Sequence, residues 1–114
     1  MNIEKFEDMV AWQKAKQLAI LTYSEFKFIK DFGFKDQVQR AAISVCNNIA
    51  EGFERKSNKE FSHFVYIAKG SCGEVRSMLY VGQELGYLSS DKFQEIFALS
   101  LEVSRILAGF IKTL

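Results

Sequence analysis

Apolar residues recur along this chain at alternating intervals of three and four, the spacing that puts them on one face of a helix. Trp12, Ala15, Ala19, Thr22, Phe26 and Ile29 form the first such stripe, with Leu18 and Leu21 widening it, and predict a helix over about residues 7–29. The stretch Lys30 to Lys35 holds Asp31 and Gly33, breaks the period and is short enough to turn the chain back on itself. A second stripe, Val38, Ala42, Val45, Ile49 and Phe53, predicts a helix ending near Gly52 to Lys56. Ser57 and Glu60 then stand at capping-box spacing, the serine oxygen accepting from the backbone of Glu60 and the glutamate reaching back. The third stripe is the longest: Phe61, Phe64, Ala68, Ser71, Val75, Met78, Gly82 and Leu85. At 1.5 Å per residue it predicts a helix about 40 Å long. Gly86 sits where a left-handed C-terminal cap belongs, and Ser89, Ser90 and Asp91 supply N-cap candidates for a fourth helix running to the C-terminus.

That fourth helix carries Phe93, Ile96, Leu99, Val103, Ile106 and Phe110 on one face, with Phe97, Leu107, Ile111 and Leu114 beside it. A face this broad exceeds what one bundle core requires, and burial against a second copy of the chain is the expected remedy. Four helices of similar length, three short connections and no strand pattern predict an all-α fold: an antiparallel up-down-up-down four-helix bundle occupying residues 1–114 as one domain.

Composition narrows the reading without adding chemistry. With 114 residues there is no room for a second core, and the absence of proline removes the strongest helix breaker. Fifteen Lys and Arg against fourteen Asp and Glu leave a formal charge of +1, so any attraction to nucleic acid must be local. The acidic N-terminal stretch does not suit a signal peptide, and the longest uncharged run, Ala41 to Ala50, is about half a bilayer span. A cytoplasmic protein with no membrane contact is expected. Cys46 and Cys72 lie inside helical patterns and are read as reduced packing residues.

The polar positions are more particular. Gln37, Arg40, Ser44, Asn47, Glu51 and Arg55 recur at three and four along the second helix, where Ser and Asn are mediocre helix formers. If the second and third helices run antiparallel, positions face each other when their numbers sum to about 114, which sets Arg40 level with Glu74 and Glu51 level with His63. A partly buried Arg40–Glu74 ion pair fixing the register is expected, against the plainer reading of two solvated charges. Gly70, Gly73 and Gly82 each cost about 1 kcal/mol in a helix interior, and close approach of another helix would offset that.

Catalytic chemistry finds no purchase. Glu60 and His63 have the i, i+3 spacing of a di-iron ligand pair, but the motif occurs once and His63 is the sole histidine, so a capping glutamate beside a surface histidine is the simpler reading. Neither cysteine is brought near His63 by the helix register, so no nucleophile–base pair forms. No catalytic residue, cofactor, metal site or small-molecule substrate is expected. What remains is local positive charge: Arg55, Lys56 and Lys59 at the second turn, with Lys69 and Arg76 further along the third helix. Glu54 and Glu60 dilute the patch, so a solvated turn is the alternative.

The segment Gln37 to Arg55, QVQRAAISVCNNIAEGFER, closely resembles the signature of the 23S rRNA intervening-sequence protein family, small bacterial four-helix bundle proteins. Phe6, Trp12 and Ala15 resemble the family's opening, Glu60, Phe61 and Phe64 its third-helix start, and Ala68 to Ser71 with Glu74 its Ala-x-Gly-Ser-x-x-Glu segment, followed by Leu85 to Leu88. The family is also similar to the accessory variability protein of diversity-generating retroelements, a homopentameric, nucleic-acid-binding barrel. The resemblance implies a homopentamer, and it gives Arg40, Asn47, Glu51, Ser71 and Glu74 the role of a structural polar network. The leading expectation is a non-enzymatic homo-oligomer that binds structured RNA or a nucleoprotein. The alternative is a scaffold that uses the helix-four face and has no nucleic-acid role.

Overall fold

The computed structural model describes residues 3–114; Met1 and Asn2, the first two residues of the expected domain, lie outside the described residues. Among these residues the chain forms a 3-10 turn at Phe6–Asp8 and four helices, α1 (Val10–Phe26), α2 (Phe32–Phe53), α3 (Asn58–Glu84) and α4 (Ser90–Ile111), with no strand. The molecule measures 43 × 22 × 19 Å, its long axis set by the 27 residues of α3.

Local chemistry ends and starts the helices. Asp31 caps α2, its carboxylate accepting from the Phe34 N–H at 3.1 Å. Ser57 caps α3, its Oγ accepting from the Glu60 N–H at 3.2 Å, so the serine half of the capping box is present. Ser89 caps α4 in the same way through the Lys92 N–H. Gly86 takes φ +77°, and the Tyr87 N–H donates back to the Gly82 carbonyl at 2.8 Å, closing α3 with the left-handed cap that only glycine adopts without strain.

The expected first helix of residues 7–29 is shorter at both ends. Met9 is extended, with ψ 127°, so Phe6–Asp8 coil separately and the Phe6 ring packs edge-on against Trp12 at 5.2 Å. Beyond Phe26 the chain turns so that Phe26 meets Phe34, ring centroids 5.6 Å apart. Helix α2 therefore begins at Phe32, inside the segment expected to be a turn.

Each helix packs on its neighbours in sequence, and α4 closes against α1. Contacts climb α2 as they descend α3: Phe34 lies against Gly82, Ser44 against Ser71, and Gly52 against Phe61 and Phe64. The core between the helices holds Leu18, Phe26, Val45, Ile49, Val65, Leu79, Ile96 and Leu107, all with at most 1% exposure. Burying each of these larger side chains stabilises the fold by about 1.5 to 3 kcal/mol. Thr22, also fully buried, turns its hydroxyl back to the Leu18 carbonyl at 2.7 Å and leaves no polar atom unpaired.

The broad face of α4 is covered only in part inside the subunit: Ile96, Val103 and Leu107 are buried, while Phe93, Phe97, Leu99, Ile106 and Phe110 are half-buried. Phe93 and Phe97 stack at 5.2 Å and both meet Tyr80 of α3, while Phe110 packs edge-on against Phe61. None of the large apolar residues on α4 is among the exposed ones; those are Val10, Ile20 and Tyr23 on α1, Phe28 and Phe32 at the first turn, and Tyr66, Ile67, Tyr80, Val81 and Leu85 along the end of α3 and its outward side. The most exposed apolar residues thus lie on α1, the first turn and α3, while the α4 face expected to be in surplus is half-buried. No helix among the described residues is long and apolar enough to cross a membrane.

Candidate nucleic-acid interface

The α2–α3 turn is built by close packing. An added Cβ at Gly52 would lie 2.8 Å from the Phe64 Cβ and 2.9 Å from the Phe61 ring, so only glycine lets the end of α2 approach α3 this closely. With the two helices pinned there, residues 54–57 form a tight link: the Glu54 N–H donates to Ala50 O and the Arg55 N–H to Gly52 O. Glycine at this position is a packing requirement, and nothing in the local sequence pattern beyond a glycine at a helix end signals it.

This link presents three cations. Arg55 donates to Glu51 at 3.0 Å and lays its guanidinium 4.7 Å from the centre of the Phe64 ring. Lys56 and Lys59 are exposed, and among the described residues neither has an acidic partner. Arg55, Ser57, Lys59, Glu60, His63 and Phe64 line an open groove of about 580 Å³. His63 packs its ring edge-on against Phe64, 5.5 Å between centroids, and no cluster of His, Cys, Asp or Glu suited to a metal ion occurs among the described residues.

Lys69 and Arg76 do not join this group. Ten and seventeen residues beyond Lys59 on one helix, they stand roughly 15 and 25 Å from it. Both flank Cys72, whose thiol donates to the Ser100 carbonyl of α4 at 3.0 Å, so they lie on the side of α3 that turns toward α4. The Arg76 guanidinium is 3.7 Å from the Cys72 Sγ, yet burial dominates and pushes the thiol pKa up from its ordinary value, with Arg76 and Lys69 opposing only in part. Cys46 is likewise free, buried and raised by burial.

The expected polar network does not form as one unit. Arg40 bonds Asp36 of its own helix at 2.9 Å and its side chain is 79% exposed, so the partly buried Arg40–Glu74 pair is absent. The register expectation still places both residues on one open groove of about 570 Å³, shared with Asp36, Gln37 and Ser44. Asp36 and Glu74 outweigh Arg40 there, which disfavours a phosphate. Glu51 pairs with Arg55 instead, and Asn47 is exposed. Ser71 shares a 3.0 Å hydrogen bond with Ser44, which receives the Asn48 amide at 2.8 Å; Asn48 is a member that the sequence pattern did not single out. Of the three helical glycines on α3, Gly82 alone lies close under a neighbouring helix: an added Cβ there would stand 3.0 Å from the Phe34 ring. An added Cβ would meet only Arg76 at Gly73 and nothing within 4 Å at Gly70.

The sequence model of the family described as 23S rRNA-intervening sequence protein matches residues 7–109, which is nearly the whole bundle. The chain belongs to this family. Among solved structures it is similar to a protein of unknown function from the S23 ribosomal protein family of Bacteroides thetaiotaomicron VPI-5482, with a TM-score of 0.87 at 24% identity over 90% of this chain and 99% of that one. That likeness shows the four-helix fold of the family. Among curated proteins nothing matches the chain.

Proposed function

We propose that this member of the family is a non-enzymatic, cytoplasmic homo-oligomer that binds structured RNA. Its subunit is an antiparallel up-down-up-down bundle, a reading supported by the contacts that climb α2 while they descend α3. One observation carries the binding reading: Arg55, Lys56 and Lys59 converge at a single end of the bundle, and the two lysines there are exposed with no acidic partner among the described residues. Three cations bind a polyanion weakly, and an assembly of five subunits repeats them around a common axis. The family description, which concerns an intervening sequence of 23S rRNA, supports RNA as that polyanion.

Light scattering with ribosomal RNA fragments at low salt tests this. The expected particle is about 65 kDa without RNA, five times 13.1 kDa, and larger with it. Changing Arg55, Lys56 and Lys59 together to Ala should remove the complex and flatten its salt dependence, each lost phosphate contact lowering the log–log slope by about 0.7 to 0.9 per engaged subunit. RNA binding that persists unchanged in the triple variant, or no binding at low salt, refutes the reading. A scaffold without nucleic acid is the second reading, favoured by Tyr66, Ile67, Val81 and Leu85 standing exposed around α3; it predicts the same particle indifferent to RNA.

A further inference from the structure

The outward side of α3 carries a second stripe at three and four, separate from the one in the core: Ile67, Gly70, Glu74, Ser77, Val81 and Leu85. Ile67 is 39% exposed, Val81 48% and Leu85 54%, with Tyr66 at 59% beside them. A solvated helix face of this length would ordinarily carry Lys and Glu at such positions. Gly70 lies in the middle of the stripe and, inside the subunit, costs helix stability with no compensating contact, because an added Cβ would touch nothing. The face is therefore shaped for the close approach of another backbone that the subunit itself does not provide.

The same subunit offers the counterpart. Between α1 and α2 an open, almost wholly apolar groove of about 430 Å³ is lined by Ala19, Ile20, Tyr23 and Ile43, with Ile20 57% exposed. Along α1 and onto its C-terminal cap, the row Lys16, Ile20, Tyr23, Lys27 brackets this groove with positive charge. The charges on the α3 side, Glu74 and Glu84, are both negative, and neither has a basic partner among the described residues. The two surfaces thus both expose apolar side chains and carry charges of opposite sign.

We infer that the α3 ridge centred on Gly70 docks into the α1–α2 groove of a second copy of this chain. Ridge and groove are different surfaces with α2 between them, so the contact is heterologous: each copy gives its ridge to one neighbour and its groove to the other. Repeated with a rotation that divides a full turn, such a contact closes the five-subunit ring proposed above. This inference rests on the self-association proposed above and specifies the surfaces that make it.

Two single substitutions, Gly70→Gln and Ile20→Glu, test it by sedimentation velocity at matched subunit concentration. Each is at an exposed position, and Gln is a better helix former than Gly, so circular dichroism should report a folded bundle for both. The unmodified chain should sediment as a ring and each variant alone as a 13.1 kDa monomer. Mixed, they should form a one-to-one complex of about 26 kDa and nothing larger, because one keeps its groove and the other its ridge. Either folded variant retaining the size of the unmodified chain, or a mixture that remains monomeric, overturns the inference while leaving self-association standing. An unmodified chain that is itself monomeric overturns both.

Discussion

Gly52→Ala is the substitution in which two ordinarily comparable effects separate most clearly. Replacing a helical glycine by alanine gains up to about 1 kcal/mol from the lower entropy of the unfolded chain. At position 52 the new Cβ would stand 2.8 Å from the Cβ of Phe64 and 3.3 Å from the backbone carbonyl of Phe61. Neither atom can rotate away, since one is fixed to the α3 backbone and the other is part of it. The helices must separate by about half an ångström just where residues 54–57 tie them together. Overpacking of this kind costs about 1 to 3 kcal/mol, so after the gain of about 1 kcal/mol the net effect is a destabilisation of up to about 2 kcal/mol. For a domain of this size the melting temperature should fall, by up to roughly 10 °C. Gly109→Ala on α4 is the matched control: the same atoms are added, nothing lies within 4 Å, and stability should rise by up to about 1 kcal/mol. Thermal melts followed by circular dichroism at one protein concentration keep any association term constant. A Gly52→Ala protein that melts at or above the unmodified one would refute the close-packing account of the turn.

Two other measurements follow from the side-chain chemistry. The Tyr87 hydroxyl donates to Asp31 at 2.7 Å and, with the Phe34 N–H, holds the Asp31 carboxyl below its ordinary pKa while the phenol is raised. Asp31 therefore contributes stability above the ordinary aspartate pKa that is lost as pH falls through its lowered folded value, and Tyr87 contributes stability that is lost as pH rises through its raised one. Tyr87→Phe should flatten stability against pH at both limits while leaving the helix cap; unchanged acid and alkaline limbs would contradict the pairing. Cys46 and Cys72, both buried and raised by burial, should resist a thiol reagent at neutral pH and react together on unfolding. Rapid labelling of the folded protein at Cys72 would mean that Arg76 outweighs burial.

What the sequence revealed was chiefly what is encoded locally. The Ser57 and Ser89 caps and the Gly86 turn depend on two or three neighbouring residues, and each is where the pattern put it. Positions that depend on distant partners were harder. The sum rule aligned Arg40 with Glu74, yet an arginine on a helix finds an acid four residues away, here Asp36, at lower entropic cost than one across a groove. Part of the α4 face is covered by rings on another helix, Tyr80 and Phe61, which the pattern of α4 alone does not reveal. The α3 ridge was legible in principle as a second period, but the core stripe on the same helix is stronger, and glycine contributes nothing to an apolar tally. Among the candidate cations, Arg55, Lys56 and Lys59 were adjacent in sequence and stay adjacent in space; Lys69 and Arg76 share their helix with Lys59 but not its end.

The near-neutral charge of the chain is compatible with RNA binding only if assembly does what composition does not. A formal charge of +1 gives a lone subunit no long-range pull on a polyanion, and Glu51 already engages one of the three cations at the turn. A ring changes the distribution rather than the total. Subunits related by rotation about an axis along their helices keep every α2–α3 turn on the same rim, so Lys56 and Lys59, which have no acidic partner among the described residues, recur there beside Glu54 and Glu60 of the same turn. Glu74 and Glu84 are on the α3 side, and the proposed contact sets them against Lys16 and Lys27 of the neighbour, pairing equal and opposite charge away from the rim. A lateral dimer about an axis perpendicular to the helices would send the two turns to opposite ends and forfeit this focusing. The heterologous contact and the RNA reading therefore support each other through geometry: a contact that orders the subunits head to tail around a ring is also one that gathers weak, identical phosphate sites into a single multivalent surface.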